Sequence, residues 1–378
     1  MLLRFFIGRT HNIMHIPENY LSPETCTIMA AASVPVWVHA VHKVKKELPV
    51  EKLPMIGTGA AFSFLVMMIN VPLIGGTTGH AVGGTLVALL FGPEAACIGV
   101  SVALLIQAVI FGDGGIISFG ANCFNMAFIL PYVGYYVYRL LAGRSHDEVL
   151  AHRHGNNLNG EIGKSQFSLR RLIAIAIGSY AGLNAAALCA AVEFGIQPIL
   201  FKDSAGYAIY CPYDLAISVP AMMIPHLLIA GVVEAAFTIV VYTFLLKTAP
   251  NMIYHESDTY NRSNHIVNRQ SNSKSVKIPV FGVIACLIAL APIGLIVTGT
   301  AWGEWGVDEI ANSISNGKKL GYTPRGIANG WSLESILPDY SLDGSSQVVG
   351  YILSAIIGVA LLIIVFKLIS IPLSRGRK

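Results

Sequence analysis

The chain has 378 residues, of which 54% are hydrophobic and only 12% are charged, and its mean hydropathy is +0.62. Globular domains usually carry about a quarter charged residues, so this composition excludes an ordinary soluble enzyme. The 25 basic residues nearly balance the 21 acidic ones, and nothing in the charge pattern indicates a nucleic-acid partner. The sequence therefore predicts an all-α polytopic protein that lies in a lipid bilayer.

Nine apolar stretches are candidates for membrane-spanning helices. About 20 apolar residues cross the hydrocarbon core, where the backbone must satisfy its own hydrogen bonds. The predicted spans are residues 24–42, 54–72, 79–91, 93–111, 121–141, 171–193, 216–246, 278–298 and 348–370. The third is the shortest and contains several glycines, which suits a short or half-inserted helix that is shielded by protein.

Basic residues divide unequally between the two sides that nine alternating spans define. With the N-terminus outside, 19 of the 25 lie on one side and six on the other. The six are Arg4, Arg9, Lys202, Lys318, Lys319 and Arg325. The positive-inside rule makes the side with 19 cytoplasmic, so the C-terminus is predicted to be cytoplasmic as well. Omitting the third span would put the basic clusters on opposite faces, so the charge pattern favours a crossing there.

A polar segment, residues 248–276, divides the chain. It is rich in Asn, Ser and Tyr and has no apolar period, which is typical of a cytoplasmic linker. It separates a seven-span unit, residues 14–247, from a two-span unit, residues 277–378, whose spans are joined by an outer loop, residues 299–347. Residues 1–13 lack the apolar core of a signal peptide, and we expect this leader not to belong to the functional chain.

Polar residues gather at the outer ends of the predicted spans. His15 in MHIPENYLSP and His80 in GGTTGHAVGG both lie there. Neutral imidazole is a frequent ligand of transition metals, so the two histidines indicate a metal site, the alternative being that each is only an interfacial polar residue. Candidates for orienting an imidazole are Gln107, Asp113, Ser118 and Asn122. Asp113 could equally cap the turn in which it lies.

His226 and Glu234 form an ionisable pair deep inside the seventh predicted span, and intramembrane ionisable residues are functional candidates by default. Eight residues separate them, which corresponds to about 12 Å along a helix and about 80° around it, so they are not expected to touch. A role in the transport pathway and a role in packing both stay open.

The catalytic motifs HExxH and GxSxG are absent from the sequence. The nucleotide-binding motif GxxxxGK[ST] is absent as well, so no ATP is expected to bind to this chain.

Three blocks, MHIPENYLSPETC, GGTTGHAVGGTLVALLFGPEAA and FGDGGIISFGANCFNMA, resemble the NikM/CbiM family in content and order. Its members are the substrate-capture subunits of energy-coupling-factor transporters for nickel and cobalt. AWGEWGVDEI and LPDYSLDG, followed by the last span, resemble the NikN companion subunit, although PDY stands where relatives have PDGLE. The resemblance implies a non-enzymatic transporter component in a prokaryotic inner membrane, for which partner subunits hydrolyse ATP.

The resemblance also implies that Met14, His15 and His80 hold the metal. The α-amine of Met14 with the amide and imidazole nitrogens of His15 would form two fused chelate rings, and His80 would supply a fourth nitrogen. Four nitrogens in one plane suit Ni(II) or Cu(II) and fit Mg(II) or Ca(II) poorly. Because 13 residues precede Met14, a free amine requires translation to start at Met14 or the leader to be removed; otherwise the site works with fewer donors. We expect a start at Met14.

The sequence therefore predicts the substrate-binding subunit of an ATP-driven importer, with Ni²⁺ as the transported substrate. Its expected partners are a transmembrane coupling subunit and cytoplasmic ATPase subunits. One alternative is Co²⁺ uptake for cobalamin synthesis. Another is an outer-surface metal sensor that transports nothing.

Overall fold

A computed structural model describes residues 15–48, 53–73, 78–142, 169–249, 273–296, 302–315, 318–342 and 344–375. Met14, the leader of residues 1–13 and most of the 248–276 segment lie outside the described residues. Within them the fold is helical, with two short hairpins of two strands each.

The helices and strands before residue 250 follow one another in this order: α1 (Pro23–Glu47), α2 (Leu53–Met67), β1 (Asn70–Pro72), β2 (Thr78–His80), α3 (Gly84–Phe91), α4 (Pro93–Ile106), α5 (Phe119–Asn122), α6 (Leu130–Ala142), α7 (Leu169–Leu200), α8 (Leu215–Pro225) and α9 (Gly231–Thr248). π-Helical turns extend three of them: Gln107–Phe111 after α4, Cys123–Ile129 between α5 and α6, and His226–Ala230 between α8 and α9. Such turns widen a helix locally and are frequent at functional sites.

The elements after residue 272 are α10 (Ser273–Leu290), a 3₁₀ turn (Ala291–Ile296), α11 (Val307–Ile310), β3 (Ile314–Ser315), β4 (Lys318–Lys319), α12 (Arg325–Asn329), a 3₁₀ turn (Pro338–Tyr340) and α13 (Gln347–Arg375). Helix α13 packs on α2 through two glycines. A Cβ at Gly57 would lie 2.9 Å from the Cβ of Phe366, and a Cβ at Gly358 would collide with the ring of Phe64. Small residues of this kind let membrane helices approach closely.

Six helical segments of the described residues have the length and hydropathy to cross a membrane: Pro23–Glu47, Pro93–Phe111, Leu169–Leu200, Leu215–Thr248, Ile278–Ile296 and Gln347–Ile371. Helix α2 is apolar but shorter, and the prediction of nine full spans is not confirmed. The third predicted span contains only the eight-residue helix α3, whose length of about 12 Å is far below the roughly 30 Å of a hydrocarbon core. All eight residues are buried, as expected for a short helix that is shielded by protein.

A buried carboxylate explains why α3 begins inside the protein. The carboxylate of Glu234 accepts hydrogen bonds from the backbone N–H of Val82 at 2.8 Å and of Gly83 at 3.0 Å. Gly83 has φ of +69°, and a Cβ there would lie 2.7 Å from the ring of Phe62. Because lipid offers no partner to backbone groups, the side chain of Glu234 supplies the acceptor that these two N–H groups need where α3 begins.

Candidate metal site

The segment that precedes α1 folds over the end of the helices and is held there by its backbone. Nδ2 of Asn122 donates to the carbonyl of Ile16 at 3.1 Å, and its Oδ1 accepts from the N–H of Ile16 at 3.0 Å. The hydroxyl of Ser118 donates to the same carbonyl at 2.6 Å. Glu18 accepts from the N–H of Ile116 at 2.6 Å. Ser118 and Asn122, predicted to orient an imidazole, thus fix the backbone next to His15 instead.

Two imidazoles meet beneath this segment. The ring centroids of His15 and His80 lie 5.3 Å apart at an interplanar angle of 65°, and both residues are buried. Nδ1 of His80 contacts the carbonyl of its neighbour Ala81 at 3.0 Å. Because β1 pairs antiparallel with β2, with Asn70 opposite His80, the hairpin fixes the position of His80 at the end of its strand.

Asp113 orients the imidazole of His15. Its Oδ1 lies 2.8 Å from Nδ1 of His15, so the carboxylate accepts the Nδ1 proton and selects the tautomer in which Nε2 carries the lone pair. Nε2 is buried and has no hydrogen-bond partner among the described residues. Gly114 makes this approach possible, since it has φ of +90° and a Cβ there would lie 2.9 Å from the Cβ of His15.

The C-terminal part of the chain holds Asp113 from its other side. The hydroxyl of Tyr340 donates to Oδ2 of Asp113 at 2.6 Å, and Nε2 of Gln107 donates to that hydroxyl oxygen at 3.0 Å. Tyr340 is fully buried, has φ of +56° and stacks on Phe111 with centroids 4.8 Å apart. Gln107 therefore acts on the imidazole through Tyr340 and Asp113, which together form a continuous hydrogen-bonded chain to His15.

A cavity of about 90 Å³ opens between these groups. Residues from both parts of the chain line it, among them His15, His80, Asn125, His226 and Glu304. His226 bonds the carbonyl of Met222 through Nδ1 at 2.7 Å, whereas Glu234 caps α3, so the predicted pair has separate roles. The structure thus joins Glu234 to the backbone at the start of α3 and places His226 on the cavity wall, and it does not decide between a pathway role and a packing role for either residue.

Residues of the 299–347 loop form part of the wall of this cavity. An apolar cluster contains Tyr20, Phe194 and Tyr213 from the first part of the chain, with Trp302 and Trp305 of the loop packed against it. The hydroxyl of Tyr20 also donates to the carbonyl of Trp305 at 2.6 Å. These contacts bring Glu304, which stands between the two tryptophans, into the cavity wall. Burial, with a smaller contribution from the negative charge of Asp113, raises the pKa of Glu304 well above its ordinary value of 4.5.

The donor set is incomplete in the described part of the chain. No group of three or more His, Cys, Asp or Glu residues within it is close enough together to hold a metal ion. A chelate that includes Met14 would supply further nitrogens, but Met14 lies outside the described residues. That chelate would use Nδ1 of His15, the atom that now contacts Asp113. A half-turn about the Cβ–Cγ bond would place Nδ1 where Cδ2 now lies and Nε2 where Cε1 now lies, so Nε2 would need a further tilt of the ring to bond Asp113.

Reasoning from the sequence missed Tyr340 and Glu304. Tyr340 occupies the third position of the PDY string, where relatives with PDGLE have glycine, and an aromatic residue there was a sign of a specialised contact. Glu304 belongs to a loop with six acidic residues, which is usually a solvated surface. Its position between Trp302 and Trp305 was the available sign that this one is buried.

Comparison with known proteins agrees with this architecture. Residues 15–252 match the CbiM family, described as the cobalt uptake substrate-specific transmembrane region, and residues 276–375 match the PDGLE domain. The chain is 41% identical to the probable fused nickel transport protein LarMN of Lactiplantibacillus plantarum, with 94% of this chain and 97% of that protein covered. It is also 41% identical to the fused nickel transport protein NikMN of Rhodobacter capsulatus, with 93% and 95% covered.

Two solved structures are similar to this chain in both sequence and fold. The crystal structure of a transition metal transporter is 45% identical and matches with a TM-score of 0.53, covering 67% of this chain and all of that one. A truncated transition metal transporter is 48% identical with a TM-score of 0.52, covering 62% of this chain and 99% of the other. The chain therefore belongs to the CbiM family of multi-pass membrane proteins for nickel and cobalt transport, which are not enzymes, and it carries a PDGLE domain at its C-terminal end.

Proposed function

We propose that this chain is the substrate-binding subunit of a nickel importer and that it captures Ni²⁺ in the cavity between His15 and His80. The observation that carries the proposal is the convergence of two buried imidazoles, those of His15 and His80, on one cavity. Neutral imidazole is a frequent ligand of transition metals, so two imidazoles on one cavity support a site for such a cation, and in the chelate His15 would bind through Nδ1. Two relatives that match over nine-tenths of this chain are named nickel transport proteins.

The donors that complete the plane are proposed to be the amine of Met14 and the amide nitrogen of His15. Square-planar coordination by nitrogen is a preferred geometry of Ni(II) and Cu(II). The bound cation would then lie at the outer face, enclosed by the segment that contains His15, by the β1–β2 hairpin and by the outer loop.

Transport requires other proteins. The chain contains no nucleotide-binding motif, so a transmembrane coupling subunit and cytoplasmic ATPases are proposed to drive release of the cation into the cell. We propose that residues 14–247 capture the metal, that residues 248–276 link the two units in the cytoplasm and that residues 277–378 form the accessory unit with its outer loop at 299–347.

Cobalt uptake is the second candidate, because the description of the matched family is cobalt uptake. Co²⁺ also accepts imidazole ligands, although it follows Ni²⁺ in the usual order of affinity. The two candidates differ in the preferred cation rather than in the site.

The test is uptake of radioactive Ni²⁺ and of radioactive Co²⁺ in cells that contain the chain with or without its coupling subunit and ATPases. We expect Ni²⁺ to accumulate only with the complete set and to do so faster than Co²⁺. Preferred accumulation of Co²⁺ would favour the second candidate. No uptake of either cation by a complete, assembled complex would contradict a transport function and favour a sensor.

A further inference from the structure

Glu304 is a buried acidic residue in the wall of the metal cavity, and it comes from the C-terminal part of the chain. It lines the same cavity as His15 and His80 and is 8% exposed. Gly303, which precedes it, has φ of +86°, and a Cβ there would lie 3.1 Å from the ring of Phe194. The left-handed backbone and the close ring both favour glycine at this position, next to Glu304 in the cavity wall.

The carboxylate of Glu304 is incompletely satisfied in this position. Its Oε2 is buried and has no hydrogen-bond partner among the described residues. The residues around the cavity include apolar and aromatic side chains such as Phe194 and Trp302, and none of the described residues that line it is a lysine or an arginine. The charge that acts on Glu304 comes from Asp113 and has the same sign. An ionised carboxylate in such a place is costly unless a cation accompanies it.

We propose that the carboxylate of Glu304 binds the transported cation in this cavity and supplies a negative charge and an oxygen ligand. The C-terminal unit would then take part directly in binding the metal. This inference rests on the proposed function. A divalent cation gives the unpartnered Oε2 its missing partner. His15, whose Nε2 has no hydrogen-bond partner among the described residues, lines the same cavity, so an oxygen and a nitrogen ligand from two different parts of the chain border one space.

The proposal does not require a preformed cluster. Within the described residues no three His, Cys, Asp or Glu side chains are close enough to hold an ion, so Glu304 is an additional ligand to a nitrogen set rather than one member of a ready-made cage. Ni(II) in a tetragonal site accepts oxygen as well as nitrogen ligands, and the positions above and below a plane of nitrogens are open. A carboxylate that approaches from the loop side can use one of them.

The test is nickel binding to the purified full-length protein, with Glu304→Gln as the variant. Glutamine keeps the size and one oxygen of the side chain but removes its charge. We expect the dissociation constant for Ni²⁺, measured by calorimetry, to rise about tenfold or more. We expect the melting temperature of the metal-free protein to change little, because glutamine matches the buried carboxyl group in size and is uncharged, like the protonated form that burial favours. A loss of stability together with weaker binding would mean that Glu304 only supports the fold, and it would overturn the proposal.

Two further variants complete the experiment. Asp308→Asn removes an exposed charge from the same loop, and it should leave the dissociation constant unchanged. An equal loss of affinity in that variant would assign the effect to the general charge of the loop and would also overturn the proposal. His80→Ala tests the metal site itself. If it loses Ni²⁺ while Glu304→Gln binds like the unmodified protein, the role of Glu304 is wrong but the nickel site stands. If His80→Ala binds normally, the proposed site fails as well.

Discussion

The hydroxyl of Tyr340 donates a 2.6 Å hydrogen bond to Oδ2 of Asp113, although 227 residues separate them in the chain. The other oxygen of that carboxylate contacts His15. A residue of the C-terminal unit thereby determines how an imidazole of the first unit is held. The backbone of Tyr340 adopts a left-handed conformation that a bulky residue seldom takes, and its side chain is enclosed by aromatic neighbours.

Tyr340→Phe should weaken nickel binding while leaving the protein folded. The variant keeps the aromatic stack on Phe111 and removes the donor to Asp113 together with the acceptor of Gln107 Nε2. Loss of a group that bonds a metal ligand directly typically lowers metal affinity about 10- to 100-fold. Tyr340 acts one hydrogen bond further out, through Asp113, so we expect a loss of about tenfold or less by calorimetry. Tyr132→Phe is the matched control, since the buried hydroxyl of Tyr132 has no hydrogen-bond partner among the described residues.

A double-mutant cycle separates positioning from general support of the fold. If Tyr340 acts through Asp113, adding Tyr340→Phe to Asp113→Asn should reduce affinity little further. Additive losses would show that the two residues affect binding independently and would contradict the hydrogen-bonded chain.

His80→Ala should abolish nickel uptake without removing the protein from the membrane. The variant deletes one imidazole, while the hydropathy of the predicted spans barely changes. Uptake of radioactive nickel with the complete set of partner subunits, normalised to the amount of protein in the membrane, is the measurement. His42→Ala, at an exposed position near the other end of α1, should transport at the normal rate. Normal uptake by His80→Ala would contradict the site.

Substitution of Glu234 should lower the thermal stability of the protein, and any loss of transport should be a consequence of that lower stability. Glu234→Ala leaves the N–H groups of Val82 and Gly83 without their acceptor, at about 1–3 kcal/mol for each buried donor. Glu234→Gln retains one oxygen and should lose less. We therefore expect melting temperatures in detergent to fall in the order unmodified, Gln, Ala. A normal melting temperature in both variants together with lost uptake would instead indicate a role in the transport pathway.

Cysteine labelling can test the orientation that the basic residues predict. A membrane-impermeant maleimide should react with Asp308→Cys in intact cells, because the 299–347 loop is predicted to lie outside. It should react with Ser263→Cys only after permeabilisation, because the 248–276 segment is predicted to be cytoplasmic. Labelling of the second variant in intact cells would contradict the argument from the positive-inside rule. The unmodified chain, with its six native cysteines, provides the background.

Local sequence pattern predicted the helical character well and the long-range contacts poorly. Long apolar runs such as residues 171–193 coincide with long helices, because lipid leaves the backbone no other conformation. The third predicted span could not be delimited, since its helix begins where Glu234, about 150 residues away, satisfies two N–H groups. Apolar periodicity carries no information about such a partner.

The candidate site likewise contains some residues that the sequence predicted and others that it did not. Blocks of residues that resemble a known family drew attention to His15, His80 and Asp113, which the structure brings together. The contacts of Tyr340 and Glu304 could not be predicted, because they depend on how the outer loop packs against the first unit. Ser118 and Asn122 lie next to the expected position but bond the backbone of Ile16, a distinction that residue spacing does not make.

The cap that Glu234 places on α3 has a mechanical consequence. Helix α9 cannot slide along or tilt away from α3 without breaking the hydrogen bonds to two buried backbone N–H groups, at about 1–3 kcal/mol for each. A step of transport that shifts α9 would therefore either break these bonds or carry the start of α3 with it. His80 is only three residues before Gly83, so a displacement of α9 would reach the cavity that His80 lines.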